Sequence, residues 1–142
     1  MYYRWSNEVP PRIRLLPVQL PGREQRFRER PFTEMTPLIE ALSEALPPHF
    51  DRPFVLVGQS MGALVSFELA RWLRRHGDKR PLGMVVAASK APQAASSGDP
   101  IHSLPRAEFL ANLQERYGAL PAALAKYEEL LDLLLPTLRA DV

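Results

Sequence analysis

Cysteine is missing from this chain. Disulfides and thiolate chemistry are therefore excluded. Histidine is scarce, with single copies at His49, His76 and His102. No apolar run reaches membrane-spanning length, and the opening MYYRWSNEVP lacks the pattern of a signal peptide. The expectation is a cytoplasmic protein with no membrane partner. Charge of either sign is also in short excess, the net being +2. Neither a nucleic-acid-binding module nor aromatic interleaving accompanies the basic residues, so nucleic acid is not an expected partner. There is no internal repeat and no low-complexity segment.

At 142 residues the chain is one domain at most, with enough length for a real core. An apolar share of 46% and a charged share of 24% are ordinary for a soluble globular protein. Fifteen prolines punctuate it heavily. The basic residues gather at Arg23, Arg26, Arg28 and Arg30, and again at Arg71, Arg74, Arg75, Lys79 and Arg80. Two readings stay open for them: a solvated face plus a helix C-terminus, or a docking surface for an acidic protein.

The alternation of patterns gives the fold class. Residues 13–20, IRLLPVQL, read as a strand, with Pro17 favouring an edge position. Leu20-Pro21-Gly22-Arg23 reads as a turn, and residues 23–30 as a polar loop. Met35, Leu38, Ile39, Leu42, Ala45 and Leu46 have helical spacing, with Thr36 as a cap, Pro37 at the first helical position and Pro47-Pro48 as a stop. Phe54–Val57 is a second strand. Residues 62–76 form a second helix with Ala63, Phe67, Ala70 and Leu73 inward, Leu64 widening the stripe, and Gly77 closing it after Arg74, Arg75 and His76. Residues 82–88 read as a buried third strand. This is β-α-β-α-β, an α/β class with about three parallel strands and right-handed crossover helices. Residues 1–91 form this core. From 92 to 142 the pattern is a flexible loop and helices at 103–117, 121–126 and 128–141, the last kinked or interrupted by Pro136. The expected role of that helical block is a lid.

The segment FVLVGQSMGALVSFELA, residues 54–70, carries the chemistry. A short apolar strand runs into Gly58-Gln59-Ser60-Met61-Gly62, and a helix follows at once. Such a strand–turn–helix corner pushes a serine hydroxyl clear of the backbone, where it can attack a carbonyl. Gly58 and Gly62 are expected to remove side chains that would collide across the corner. Ser60 is expected in a strained backbone state. The N–H of Met61 follows the nucleophile and is the natural oxyanion donor, helped by the helix N-terminus. The alternative is a structural serine in a glycine-tolerant turn.

A catalytic serine needs a base, and the base an orienting acid. His49 precedes the nucleophile strand at its wrong end. His76 ends the helix, sixteen residues beyond Ser60, roughly 24 Å away at helical rise. His102 opens the helical block and reads as a helix-entry residue, with a base folded over the site as the alternative. Ala87-Ala88-Ser89-Lys90-Ala91, where one common arrangement keeps its acid, holds no carboxylate. Asp99, Asp132 and Asp141 read as solvated charges. No metal site is assigned.

Beyond the serine corner, Val18-Gln19-Leu20-Pro21-Gly22-Arg23-Glu24, His102-Ser103-Leu104-Pro105 with Glu108-Phe109-Leu110, and Leu135-Pro136-Thr137-Leu138-Arg139-Ala140-Asp141 occur in that order. Together they cover nearly the whole chain. On them the chain resembles the type II thioesterases of nonribosomal peptide and polyketide assembly lines, in the α/β-hydrolase superfamily. That family usually has histidine where Gln59 stands. The resemblance implies a partial α/β-hydrolase that removes acyl or aminoacyl groups from the phosphopantetheine arm of an acyl or peptidyl carrier protein, with no cofactor of its own. It also implies a first strand and glycine-rich loop ahead of these residues, and an aspartate and a histidine on strands after them. The chain is then expected to be a catalytically incomplete central portion, its missing strands supplied by another segment or chain, with an exposed apolar sheet edge and marginal stability. The other readings are a non-catalytic remnant or carrier-protein-binding module, and another esterase or acyltransferase of the same superfamily.

Overall fold

The computed structural model describes residues 2–94, 100–118 and 127–142. They divide into two compact units, Met1–Pro31 and Phe32–Val142.

The first unit is built from short 3-10 turns at Tyr2–Asn7 and Glu24–Arg26 and the coil between them. Residues 13–20, expected as a strand, join no sheet among the described residues, and Ile13, Leu16 and Val18 are exposed. A strand exists through its ladder, and Pro17 has no N–H to give one. The expected turn does form. Gly22 takes φ +81°, the left-handed value of a type II turn's third residue, directly after Pro21. The polar loop is ordered around Arg26. Its Nη1 donates to the Gln19 carbonyl at 2.8 Å, and its Nε donates to Glu29 Oε1 at 2.7 Å. The Gly22 N–H donates to the Arg26 carbonyl at 3.0 Å. The side-chain hydrogen bond between Arg26 and Glu29 holds the Glu29 carboxyl below its usual range and raises the Arg26 guanidinium.

The second unit opens with helix α1, Met35–Ala45. Its cap position is Glu34, not Thr36, and no side chain caps it. Pro37 is tolerated in the first turn, where N–H groups have no helix acceptor. Leu38, Ile39 and Leu42 are buried, as the spacing predicts, and a 3-10 turn at Pro47–His49 ends the run. Phe50 is buried and stacks on Phe54, ring centroids 4.1 Å apart.

Strand β1, Val55–Gln59, leads to helix α2, Met61–His76, and then to strand β2, Gly83–Ala87. The strands pair in parallel, from Val55 opposite Gly83 to Gln59 opposite Ala87. Two strands are paired among the described residues, where the sequence reading expects about three. β2 is not buried: all five of its residues are exposed, Val85 at 58% and Val86 at 50%. A parallel strand is buried only when layers cover both faces, and β1 is its one strand neighbour among the described residues.

The buried stripe of α2 is also rotated from expectation. Ala63, Val65, Ser66, Leu69 and Leu73 are buried, while Leu64 is exposed and Phe67 and Ala70 are half-buried. α2 packs against α1 as well as both strands, so its inward face is set by three neighbours rather than by the longest apolar residues. Gly77 closes it, donating its N–H to the Leu73 carbonyl at 2.9 Å.

Beyond the sheet, α3 spans Arg106–Tyr117 and α4 spans Glu128–Ala140. α3 starts three residues later than expected, after Pro105, and ends on Gly118 in the left-handed conformation. α4 runs continuously through Pro136. The expected helix at 121–126 lies outside the described residues. Ile101, Phe109 and Leu113 form a buried cluster with Leu104, Leu110, Leu135 and Leu138 packed on it. Arg139 clamps this block. It donates to the carbonyls of His102 and Leu104, the latter at 2.8 Å, and lies 4.5 Å over the Phe109 ring. Among the described residues no helix is long and apolar enough to cross a membrane.

Candidate active site

The corner at Ser60 is assembled from three local facts. The β1–β2 ladder carries the chain straight as far as Gln59. Ser60 then takes φ 53° and ψ −122°, and Met61 is already the first residue of α2. A non-glycine residue in that backbone state is strained by about 1–3 kcal/mol and persists only where its surroundings fix it.

Gly58 is what lets the corner close. A Cβ there would lie 2.1 Å from the Gly62 carbonyl oxygen and 2.7 Å from the Ala63 nitrogen. The start of the helix thus passes directly over the end of the strand. Gly62 does not share this steric role. A Cβ there would meet nothing within 4 Å, because the close approach is made by its carbonyl and not by its α-carbon face. The expectation of two clearance glycines reduces to one.

Two backbone bonds hold Ser60. Its N–H donates to the Ala87 carbonyl at 2.9 Å, and its carbonyl accepts from the Ala63 N–H at 3.0 Å. Its side chain makes no capping bond, and the residue is exposed, as is Gln59. Met61 is half-buried at the start of α2, whose dipole places positive potential beside the serine. The hydroxyl is therefore solvent-accessible, next to a helix N-terminus, on a backbone that gives it little freedom to move.

The histidines are placed elsewhere. His49 is exposed at the end of the 3-10 turn ahead of β1. His76 is the last residue of α2, with Nδ1 3.2 Å from the Trp72 carbonyl and its ring tilted against Trp72. His102 is exposed, and its carbonyl is bound by Arg139. Among the described residues no hydrogen bond joins an imidazole to Ser60. Of the acids, Asp132 is not merely solvated: its Oδ1 accepts from Arg106 Nε at 2.8 Å, bridging α4 and α3. Asp141 caps the end of α4 and also has a partner. Asp99 lies outside the described residues.

The sequence reading misses one feature of the site. Ala88, the residue after β2, takes φ 51° beside Ser60. Alanine at this position gives no compositional hint of a left-handed turn, and only the end of the ladder marks it.

The thioesterase domain model matches residues 1–142. The chain is 46% identical to linear gramicidin dehydrogenase LgrE of Brevibacillus parabrevis, over 99% of this chain and 54% of that protein. Among solved structures it is similar to the RedJ thioesterase of the prodiginine biosynthetic pathway in Streptomyces coelicolor, with a TM-score of 0.85 and 37% identity over 99% of this chain and 55% of that one. It is also similar to YbtT, a type II thioesterase from the yersiniabactin NRPS/PKS biosynthetic pathway, with a TM-score of 0.73 and 35% identity over 87% of this chain and 49% of that one. The chain spans about half the length of these relatives.

Proposed function

The chain belongs to the thioesterase-domain family, and from that premise we propose that Ser60 is the nucleophile of an acyl-thioester hydrolase. The Ser60 oxygen attacks the thioester carbonyl, the C–S bond breaks, and the sulfur leaves as a thiol carrying the serine proton. Water then attacks the acyl-serine ester, releases the acid and restores the hydroxyl. The Met61 N–H and the first turn of α2 stabilise the oxyanion of each tetrahedral intermediate. The observation that carries this reading is the backbone of Ser60, φ 53° between the last residue of β1 and the first of α2.

The relatives support a substrate class for this proposal. YbtT and RedJ are thioesterases of biosynthetic pathways, and the corresponding role here is editing of acyl or aminoacyl groups held on the phosphopantetheine of a carrier protein. Within the second unit, the exposed Arg74 and Arg75 at the end of α2 suit an acidic carrier. The block from 92 to 142 is the lid over the acyl chain. Among the described residues His49, His76 and His102 make no hydrogen bond to Ser60, and the base that activates it in this reading is another group.

A second reading has its own support: with no imidazole bonded to Ser60 among the described residues, the chain is a carrier-binding module without chemistry. A fluorophosphonate probe separates the two. In the full-length protein, labelling that disappears in Ser60→Ala supports the hydrolase. Hydrolysis of an acyl-carrier thioester is then expected to fall on the order of 10³-fold or more in that variant. A folded protein that binds carrier but never labels favours the module.

A further inference from the structure

Charge divides unevenly between the two units. Met1–Pro31 holds seven arginines against three glutamates, an excess of +4. The whole chain carries +2, so Phe32–Val142 carries −2. All of the positive excess therefore belongs to the smaller unit. Crowded like charges repel one another and work against a compact structure. Solubility needs only a net charge away from zero, wherever the charges sit.

The loop after Gly22 sorts its arginines into two kinds. Arg23 and Arg26 are half-buried and build the loop. Arg23 Nη1 donates to the Pro21 carbonyl at 3.0 Å, and Gln19 Nε2 donates to the Arg23 carbonyl at 3.4 Å. Arg26 donates to the Gln19 carbonyl and to Glu29. Glu24 is held at φ 44°, a strained state that persists only where its surroundings fix it. Arg28 and Arg30 are exposed, and among the described residues neither has a hydrogen-bond or ion-pair partner. Glu29, between them in sequence, is already engaged by Arg26, and Glu24 is the other exposed acid of the loop.

Arg74 and Arg75 differ in having a local reason for their charge, since they end α2, where a helix C-terminus favours cations. Arg28 and Arg30 follow only a three-residue 3-10 turn, too short for that effect. The loop thus uses two arginines for its own geometry and presents two more, unpaired, from an ordered backbone. A guanidinium fork matches a carboxylate through two parallel hydrogen bonds.

We propose that the loop at residues 23–30 is a docking surface for an acidic carrier protein, with Arg28 and Arg30 pairing with carboxylates of that partner. The partner's identity as a carrier rests on the acyl-thioester hydrolase reading; its acidic character does not.

The test uses the full-length protein and a purified acyl carrier protein bearing its phosphopantetheine arm. Arg28→Glu/Arg30→Glu is compared with Arg52→Glu/Arg80→Glu, which makes the same change in charge at two exposed arginines of the second unit. Binding is read by surface plasmon resonance at about 0.05 M and about 0.5 M salt. At low salt Kd is expected to rise about tenfold in the loop variant and less than about threefold in the control, the difference fading at high salt. Equal weakening by both variants overturns the proposal, because it reports net charge and not a docking face. Unchanged binding in a folded loop variant overturns it too, as does a parent that prefers a DNA duplex to the carrier. Should the glutamate variant fail to fold, Arg28→Gln/Arg30→Gln takes its place, with a rise of about threefold expected and no rise overturning the proposal. Loop-dependent carrier binding in a protein that never labels with fluorophosphonate removes the hydrolase reading and leaves the docking surface standing. A loop variant that binds and hydrolyses acyl-carrier thioester as the parent does removes the docking surface alone. A parent that binds no carrier overturns both.

Discussion

Ser60 and Phe109 sit in opposite surroundings. Ser60 is exposed, strained and held by two backbone bonds. Phe109 is 0% exposed, packed among leucines and covered by the Arg139 guanidinium. The corner is therefore specified by backbone geometry, and the α3–α4 block by side-chain volume. Local strain is stable only when something nearby is rigid. At the corner the rigid parts are the β1–β2 ladder and the inward face of α2, not a layer of side chains over the serine. The two regions should accordingly fail under different kinds of substitution.

The largest expected loss is in the packed block. Phe109→Ala removes a fully buried large side chain and should cost about 3–5 kcal/mol. Chemical denaturation checks this through a lower midpoint at constant slope. Ser60 amide protection should be little changed in that variant wherever the core stays folded. A loss of protection at the corner equal to that in α3 would erase the contrast between the regions.

The next test attacks the corner without touching any side-chain packing. Gly58→Ala places a methyl 2.1 Å from a backbone oxygen that has no free rotation with which to move away. A cost of about 3 kcal/mol is expected, together with loss of fluorophosphonate labelling. Gly62→Ala, four residues on, enters open space within a helix. It should be neutral or stabilising by about 0.5–1 kcal/mol, since glycine is the poorer helix former. Thermal melts of the two single variants suffice. Equal destabilisation by both would show that the corner does not close over Gly58 alone.

This pair also shows what was legible in the sequence. The G-x-S-x-G pattern announces the corner because its code is local: a strand, a helix and a glycine requirement lie within five residues. The division of labour between the two glycines is not legible, since it depends on which atom of residue 62 faces residue 58. Non-local features were lost altogether. Residues 13–20 have the composition of a strand, but a strand requires a partner that composition cannot name. Leu64 has the hydrophobicity of a core residue, yet the position of α1 turns Ser66 inward instead. Asp132 reads as a solvated charge until Arg106, 26 residues earlier, is seen to reach it.

Arg139 tests whether the α3–α4 block depends on volume alone. Its two donors reach two different carbonyls while its plane covers Phe109. Lysine keeps the charge and loses the fork. Arg139→Lys should therefore cost about 1–2 kcal/mol, against the larger cost of Phe109→Ala. A lysine variant as stable as the parent would assign the block's stability to its hydrophobic cluster entirely.

The smallest effect is expected in the first unit, at the Arg26–Glu29 pair. The hydrogen bond from Arg26 lowers the Glu29 carboxyl below 4.5, its ordinary value. A carboxyl with a lowered folded-state pKa contributes stability that is fully present above its unfolded value. That contribution is lost as pH falls through the folded value. Both side chains are about half exposed, so salt and solvent weaken the pair. Glu29→Gln should leave the protein nearly as stable as the parent at neutral pH and remove only a shallow acid-side slope below pH ~4.5. The sign is the informative part: an acid-side slope that Glu29→Gln leaves in place would mean that Arg26 orders the 19–29 loop through its bond to the Gln19 carbonyl, with the carboxylate as a bystander. High salt discriminates further, because it screens the ion pair while leaving the neutral carbonyl bond in place.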